Sequence, residues 1–277
     1  MWVDMKKYLL TGFALFISSC SLIQFGGYNP PTRDEILSNS AYKWQKDSTE
    51  NFNYYYDAIT IPKEYVDSAE IYFEKSYPKL LKFLGIKRYP GKLNLFMVES
   101  RAKMGRIVGM ETNGIANAKD NTVYSLFNAN VKTYGMHEFC HVITFNEWGG
   151  IYKEIWLSEG LAVNSDNIWW GFELHALANY LFHKGKLISL AELVEKFHDY
   201  NNFISYPESG SIVKYLNDKY GIDLIKELWE NGSAVFEKKL HKTIKSIEEE
   251  WLQEINKYDY ATINYFEKVF SLYGEKL

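Results

Sequence analysis

The sequence predicts an α+β fold in which a small N-terminal mixed sheet unit packs on a mainly helical lobe. Two observations carry this prediction. Segments rich in aromatic and β-branched residues, or alternating as strands do, lie before residue 131, with only two helical segments among them. From there onward the pattern is almost wholly helical, and the glycines at 149–150, 185 and 221 separate the helices. A chain of 277 residues is long enough to bury a substantial core.

The composition is that of an ordinary soluble globular protein, with 47% hydrophobic and 24% charged residues. The net charge of -4 gives no basic footprint, so we expect no nucleic-acid partner. Aromatic residues make up 17% of the chain, which fits either a large core or an aromatic-lined cleft.

The N-terminus has the pattern of a secretory signal. Lys6 and Lys7 precede an apolar run over residues 8–17, and small residues follow it up to Cys20. The run is too short to span a bilayer as a helix. The true start can be Met1 or Met5, because both precede the lysines.

Residues 17–20, Ile-Ser-Ser-Cys, resemble a bacterial lipobox, in which the cysteine receives the lipid. The common pattern has Leu where Ile17 stands and Gly or Ala where Ser19 stands. We therefore expect a lipoprotein signal peptide at residues 1–20 and an extracytoplasmic protein of the cell envelope, held on the membrane through a lipid on Cys20. The alternative is a plain cleaved signal with an incidental cysteine.

The elements of the sheet unit follow in order. Residues 21–51, rich in Asn, Ser, Pro and Lys, read as a tether. The sheet unit at 52–130 should then contain a strand at 53–61, a helix from 62 to 84, a strand at 92–98, a short helix from about 100 to 108, and a hairpin of strands at 114–117 and 121–126.

The helical lobe is predicted at residues 131–257. Its expected helices are 131–146, 153–168, 171–184, 189–198, 207–219, 222–231, 233–240 and 244–256. Residues 258–277 should hold a further C-terminal helix. The first helix of the lobe carries the chemical motif, which places that motif at the junction with the sheet unit, where a cleft is expected.

That motif is His137-Glu138-Phe139-Cys140-His141, which matches H-E-x-x-H. On a helix the two histidines lie on one face, so both imidazoles can bind one metal ion. Glu138 lies beside the metal, where its carboxylate can take a proton from a water molecule. Phe139 and Cys140 should face the core. The pattern alone is moderate support, because a helix with two surface histidines also satisfies it.

A second motif, W-L-S-E-G-L-A over residues 156–162, supplies a third ligand. Glu159 follows His141 by eighteen positions, and Gly149-Gly150 provides the turn between the two helices. Catalytic zinc sites keep three protein ligands, and two histidines with one glutamate are a standard set. We therefore expect one Zn²⁺ per chain, bound by His137, His141 and Glu159.

The two motifs together resemble those of the gluzincin metallopeptidases, specifically the aminopeptidase-N-like superfamily and its small bacterial peptidase MA-like lipoproteins. The resemblance runs from about residue 52 to 256. It implies a zincin-like peptidase domain at 52–257 and an edge strand at 114–117 that binds an extended substrate.

The same resemblance nominates an oxyanion donor. Residues 206–216 are similar to the family's Y-x-x-x-G-S-F-x-x-Y-L stretch, which points to Tyr206 as catalytic, with Tyr215 second. Core packing is the alternative for both tyrosines. The family's G-x-M-E-N exopeptidase motif has no counterpart in register, and Glu111 lies at a doubtful distance from His137. We therefore expect an endopeptidase rather than an aminopeptidase.

Two other functions stay open. One is a catalytically inert lipoprotein that keeps the peptidase fold for binding, and the other is hydrolysis of a non-peptide amide.

Other polar residues give no ligand spacing: His175, His183, His198 and His241 are expected to be surface or hydrogen-bonded residues. Asn164 and Asp166 follow Glu159 at helical distances from which they could orient the metal-bound imidazoles, but a solvated turn is the preferred interpretation. Trp169, Trp170 and Phe172 could line a substrate cleft, and a helix seam is preferred for them.

Overall fold

The computed structural model describes residues 30–150 and 152–273. The predicted signal peptide, the lipid-bearing Cys20 and the first part of the tether lie outside these residues. Within the described ranges, no helix combines the length and apolar character needed to cross a membrane.

The N-terminal unit is a five-stranded mixed sheet in the order β1-β2-β3-β5-β4. Its strands are β1 (Gln45–Ser48), β2 (Phe52–Tyr56), β3 (Leu93–Val98), β4 (Gly114–Asn117) and β5 (Thr122–Leu126). The three central strands β2, β3 and β5 are parallel, and the edge strands β1 and β4 run antiparallel to them. The two faces of the sheet are covered by helices and by an N-terminal segment.

The helices of this unit are α1 (Arg33–Ser38), α2 (Lys63–Phe83) and α3 (Arg101–Val108). Helix α2 shares its face of the sheet with the first helix of the lobe. The rings of Phe52, Phe73 and Phe139 meet there, with centroids 5.2 to 5.7 Å apart. This aromatic cluster joins strand β2 and helix α2 to the helix that carries the H-E-x-x-H motif.

Residues 30–51, predicted as a tether, are packed on the sheet. Helix α1 begins with a capping box of Thr32 and Glu35, and β1 pairs with β2. The hydroxyl of Tyr124 donates a hydrogen bond to the carbonyl of Pro31 at 2.7 Å, and Trp44 packs edge-on against Phe96. The polar composition of residues 30–51 does not predict these contacts, because they are made by backbone carbonyls and a few aromatic rings.

The lobe is helical as predicted. Its helices are α4 (His137–Trp148), α5 (Ile155–Asn164), α6 (Leu174–His183), α7 (Leu190–Lys196), α8 (Asn202–Tyr220), α9 (Ile222–Asn231), α10 (Ala234–Leu240) and α11 (Ile244–Ile255), followed by α12 (Tyr265–Tyr273). The α+β prediction, with a small mixed sheet unit on a helical lobe, is therefore confirmed.

Several element boundaries differ from the prediction. The helix with the H-E-x-x-H motif begins at His137 rather than at residue 131, and strand β2 ends at Tyr56 rather than at residue 61. Helix α6 begins only at Leu174, because Ile168–Trp169 and Phe172–Glu173 form a short antiparallel hairpin, β6 and β7. Helix α8 begins at Asn202, upstream of Pro207. Proline leaves the carbonyl four residues before it without its helical partner. Here that carbonyl belongs to Phe203 and accepts a hydrogen bond from the Tyr265 hydroxyl at 3.0 Å, so the helix continues.

Helices α5 and α8 form the closest contact in the lobe. A Cβ on Gly160 would lie 2.5 Å from the carbonyl oxygen of Ser209, and one on Gly210 would lie 2.5 Å from Cγ1 of Val163. The two glycines therefore let the helix backbones approach each other from both sides. This contact fixes the position of Glu159, the residue directly before Gly160.

Candidate metal centre

Helix α4 presents both histidines of the first motif at its beginning. His137 is the first residue of the helix and His141 lies one turn later, and their Nε2 atoms are 3.2 Å apart. Phe139 and Cys140 are buried in the core, as the pattern predicts. Gly149 ends the helix with φ of 96°, in the left-handed region that favours glycine.

Helix α5 brings Glu159 to the same point. Its Oε2 atom lies 3.3 Å from Nε2 of His137 and 3.4 Å from Nε2 of His141. The side chain is fully buried, and neither carboxylate oxygen has a regular hydrogen bond from the described residues. A buried carboxylate without hydrogen bonds is costly, so it needs a compensating cation.

The spacing of these three atoms fits a tetrahedral metal ion. With metal–ligand bonds of about 2.0–2.1 Å, two ligand atoms of a tetrahedral site lie about 3.3–3.4 Å apart. The observed separations are 3.2, 3.3 and 3.4 Å. His137, His141 and Glu159 thus form a group that could hold a metal ion. Nitrogen and oxygen donors of this kind suit zinc among other metals.

The electrostatics of the group also favour a cation. Burial by itself raises the pKa of Glu159, but the positive charges that His141 and His137 can carry lower it to about 2. Burial lowers the pKa of His137, whereas Glu159, Glu138 and Asp166 raise it and prevail. Three carboxylates therefore act on one imidazole, and the local field is negative.

Glu138 lies beside the metal group and under the edge strand. A Cβ on Gly114, the first residue of β4, would lie 2.7 Å from Oε1 of Glu138. The glycine therefore leaves room for the carboxylate between α4 and β4. The side chain is half-buried, so water and a substrate can reach it.

Tyr206 reaches the centre, and Tyr215 does not. The Tyr206 ring lies nearly parallel to that of His137 with centroids 6.3 Å apart, and nearly parallel to that of Trp169 at 5.7 Å. Tyr215 instead donates a hydrogen bond to Oε2 of Glu250 at 2.8 Å, within an ion-pair network elsewhere in the lobe. The geometry thus brings together only the first of the two candidate tyrosines.

The remaining candidates take structural positions. The histidine at position 175 is buried, its Nδ1 lies 2.7 Å from Oγ of Ser211, and burial lowers its pKa to about 4. Trp169 lies in a seam, where its Nε1 donates to the Tyr265 hydroxyl at 2.8 Å. Glu111 is exposed and packs beside Gly105 on α3.

Two further residues lie near the centre: Ser158, for which the sequence indicates no role, and Asp166, for which a solvated turn was the preferred interpretation. Oγ of Ser158 lies 3.4 Å from Nδ1 of His141, where it can orient the imidazole. Asp166, expected in a solvated turn, has its carboxylate at the start of α4, within 2.8 Å of the backbone nitrogen of Met136. For Asp166 the sequence offers two signals. One is its helical distance from Glu159, and the other is that Met136, directly before His137, is not a usual N-capping residue.

Comparison with known proteins adds little to this geometry. No family model matches the chain, and no curated protein matches it. Among solved structures, the chain is similar to an aminopeptidase N family protein from Idiomarina loihiensis, with a TM-score of 0.36 and 14% sequence identity. The match covers 85% of this chain and 47% of that protein, so the chain spans about half its length.

Proposed function

We propose that this protein is a zinc metallopeptidase that hydrolyses peptide bonds. The observation that carries the proposal is the convergence of His137, His141 and Glu159 at the spacing of a tetrahedral ion, with Glu138 beside them. Two imidazoles, one carboxylate and a neighbouring general base are the parts that a zinc hydrolase needs.

A zinc ion held by His137, His141 and Glu159 would supply Lewis acidity and lower the pKa of a water molecule in the proposed reaction. Glu138 accepts the proton of that water as it attacks the peptide carbonyl, and then passes the proton to the leaving amine. Tyr206 is the proposed donor to the oxyanion that develops on the carbonyl. The position of its ring against His137 supports this role.

The edge strand supports an extended peptide as substrate. Strand β4 lies at the border of the sheet, and its first residue, Gly114, contacts Glu138. A peptide that adds to this border as a further strand would pass the general base. Glu111 packs against α3, so it does not offer the carboxylate that would hold a substrate amine. We therefore favour an endopeptidase.

The proposal keeps the predicted lipid anchor on the membrane. A lipid on Cys20 would place the enzyme outside the cytoplasm and on a membrane surface, with envelope peptides or proteins as substrates. Metabolic labelling with a radioactive fatty acid tests this part separately. We expect the label in the wild-type chain and its loss in Cys20→Ser.

The rival function is a peptidase fold that binds peptides without turnover. Intact metal ligands together with Glu138 favour the enzyme, because the general base has no use in a binding protein. Zinc content and cleavage of a broad peptide library separate the two. Stoichiometric zinc with no cleavage of any peptide would support the binding protein. Cleavage of amide substrates other than peptides would support the remaining alternative.

The decisive variant is Glu138→Gln, which keeps the shape of the side chain and removes the base. We expect the zinc-loaded variant to cleave about 10²- to 10⁴-fold more slowly, with unchanged zinc content. Glu147→Gln on the same helix is the matched control, because Glu147 is exposed and is not part of the metal group. Wild-type cleavage by zinc-loaded Glu138→Gln would show that the assigned role is wrong.

A further inference from the structure

Helix α4 carries two of the three candidate ligands but has no capping side chain of its own. The first backbone N–H groups of a helix find no partner within it and need acceptors from elsewhere. The N-cap residue is Met136, whose side chain makes no capping hydrogen bond. His137 is the next residue, so any fraying at this end would move a metal ligand directly.

Asp166 supplies the missing acceptor from another helix. Its Oδ2 and Oδ1 atoms lie 2.8 and 3.0 Å from the backbone nitrogen of Met136. The hydroxyl of Tyr72 on α2 donates to Oδ1 from the far side at 3.4 Å. The carboxylate is thus held between α2 and the beginning of α4.

The residue before Met136 makes this contact possible. A Cβ on Gly135 would lie only 2.9 Å from Oδ2 of Asp166. Any larger residue would push the carboxylate away from the helix. Gly135 and Asp166 are therefore complementary, although they are far apart in the sequence.

The position of Asp166 in the sequence explains why its contact with Met136 matters for the metal centre. It follows the last residue of α5, Asn164, by two positions, and α5 carries Glu159. One carboxylate therefore ties the end of the helix with the third ligand to the start of the helix with the other two. Its negative charge also offsets the partial positive charge of a helix N-terminus, which otherwise repels a nearby cation.

We propose that Asp166 is a positioning residue for the metal centre, which holds His137 and His141 in place against Glu159 and thereby strengthens metal binding. The inference rests on the proposed metal site. Asp166 has no place among the ligands themselves, and it acts through the backbone of α4.

The test measures zinc affinity of the full chain by competition with a chromophoric chelator. Asp166→Ala should bind zinc about 10- to 100-fold more weakly than the wild type, the usual effect of removing a group that supports metal ligands. Asp166→Asn keeps an acceptor oxygen and loses the charge, so its affinity should fall between the two. This partial rescue would not follow from a general loss of stability.

Glu248→Ala is the matched control. The Glu248 carboxylate on α11 accepts a hydrogen bond from the backbone nitrogen of Leu190 at the start of α7, at 3.2 Å. It is therefore also a carboxylate that caps a helix from another helix, but neither helix carries a candidate ligand. Its removal should leave zinc affinity at the wild-type value.

Gly135→Ala tests the same contact in a second way, since it displaces the Asp166 carboxylate without removing it. It too should weaken zinc binding, and it serves as the test if Asp166→Ala does not fold. Wild-type zinc affinity in the folded variants at positions 135 and 166 would overturn the inference. Failure of the wild-type chain itself to bind zinc would instead overturn the proposed function, so the two failures are distinguishable.

Discussion

The two helices that contribute to the candidate metal centre differ in how deeply they are buried. Helix α4 is only partly covered, and the side chains of His137 and His141 are 20% and 11% exposed. Helix α5 is buried from Trp156 to Asn164, and the Glu159 side chain is 1% exposed. One helix therefore faces the cleft with its ligands, whereas the other holds its ligand inside the lobe.

This difference separates two kinds of constraint. The exposed side of α4 can be changed with little loss of packing, so substitutions there should alter chemistry. Helix α5 contacts α8 through Gly160 and Gly210 with no space to spare, so substitutions there should alter stability. The predictions below test whether the division is as sharp as the packing indicates.

The largest effect is expected for Tyr206, a buried residue of the lobe that lies beside the candidate metal centre. Tyr206 lies on α8 and is 2% exposed, yet its ring faces His137. If its hydroxyl stabilises the oxyanion, Tyr206→Phe should lower kcat by about 10²- to 10³-fold, since that is the usual cost of one oxyanion donor. Steady-state kinetics on a cleaved peptide measure it, and zinc content should not change.

Tyr215→Phe is the control for that experiment, because Tyr215 is hydrogen-bonded to Glu250 away from the centre. An equal loss of kcat in both variants would mean that the tyrosines act through packing. The buried helices of the lobe would then have only a structural role, and the groups that react would lie on α4.

A smaller effect is expected for Gly160→Ala. The new methyl group would meet backbone atoms of Ser209, which cannot move out of the way as a flexible side chain can. Overpacking of this kind costs about 1–3 kcal/mol in free energy of unfolding. Urea denaturation measures the loss.

The matched control is Gly105→Ala on α3, where the nearest atoms belong to the flexible side chain of Glu111. It should cost far less, because alanine is also the better helix former. An equal loss at positions 105 and 160 would contradict the close contact between α5 and α8.

The last prediction concerns a carboxylate that the proposed reaction does not use. Glu208 on α8 is fully buried, and its carboxylate accepts the backbone N–H of Ile188 at 3.1 and 3.2 Å. Burial raises its pKa well above the usual value, and the charges of Glu248 and Glu192 raise it further. Its contribution to stability is therefore complete below the unfolded pKa and is lost as pH rises towards the folded pKa.

Glu208→Gln should remove that loss. The free energy of unfolding of the variant should gain on the wild type as pH rises from 4 to 8, by about 1.4 kcal/mol for each unit between the folded and unfolded pKa. Denaturation at several pH values measures the gap. A gap that is the same at pH 4 and pH 8 would contradict the raised pKa.

The sequence was sufficient to predict that His137, His141 and Glu159 form a group that could hold a metal ion, in part because the spacing of the two histidines on one helix is local. Glu159 could be found because its own motif marks it. Asp166 could not be placed, because its contact with Met136 joins segments thirty residues apart and uses the backbone. The start of α8 was predicted at Pro207 rather than at Asn202 for a similar reason. The Tyr265 hydroxyl that donates to the carbonyl of Phe203 lies far along the chain, so local sequence does not reveal it.

The class of the fold was also predictable from local patterns. The residue at which the folded domain begins was not, because residues 30–51 were predicted to be a tether. Residues 30–51 have a polar composition, and their place on the sheet depends on pairing of β1 with β2 and on contacts such as Tyr124 to Pro31. Composition reports how much apolar surface a segment has to bury, whereas these contacts depend on hydrogen bonds to distant partners.

The most direct test of the central claim is the zinc content of the purified full chain after loading and removal of free metal. We predict one zinc ion per chain in the wild type, and loss of that ion in both His141→Ala and Glu159→Ala, one from each helix. Absence of tightly bound zinc in the wild type, or its retention in both variants, would contradict a shared metal centre between α4 and α5.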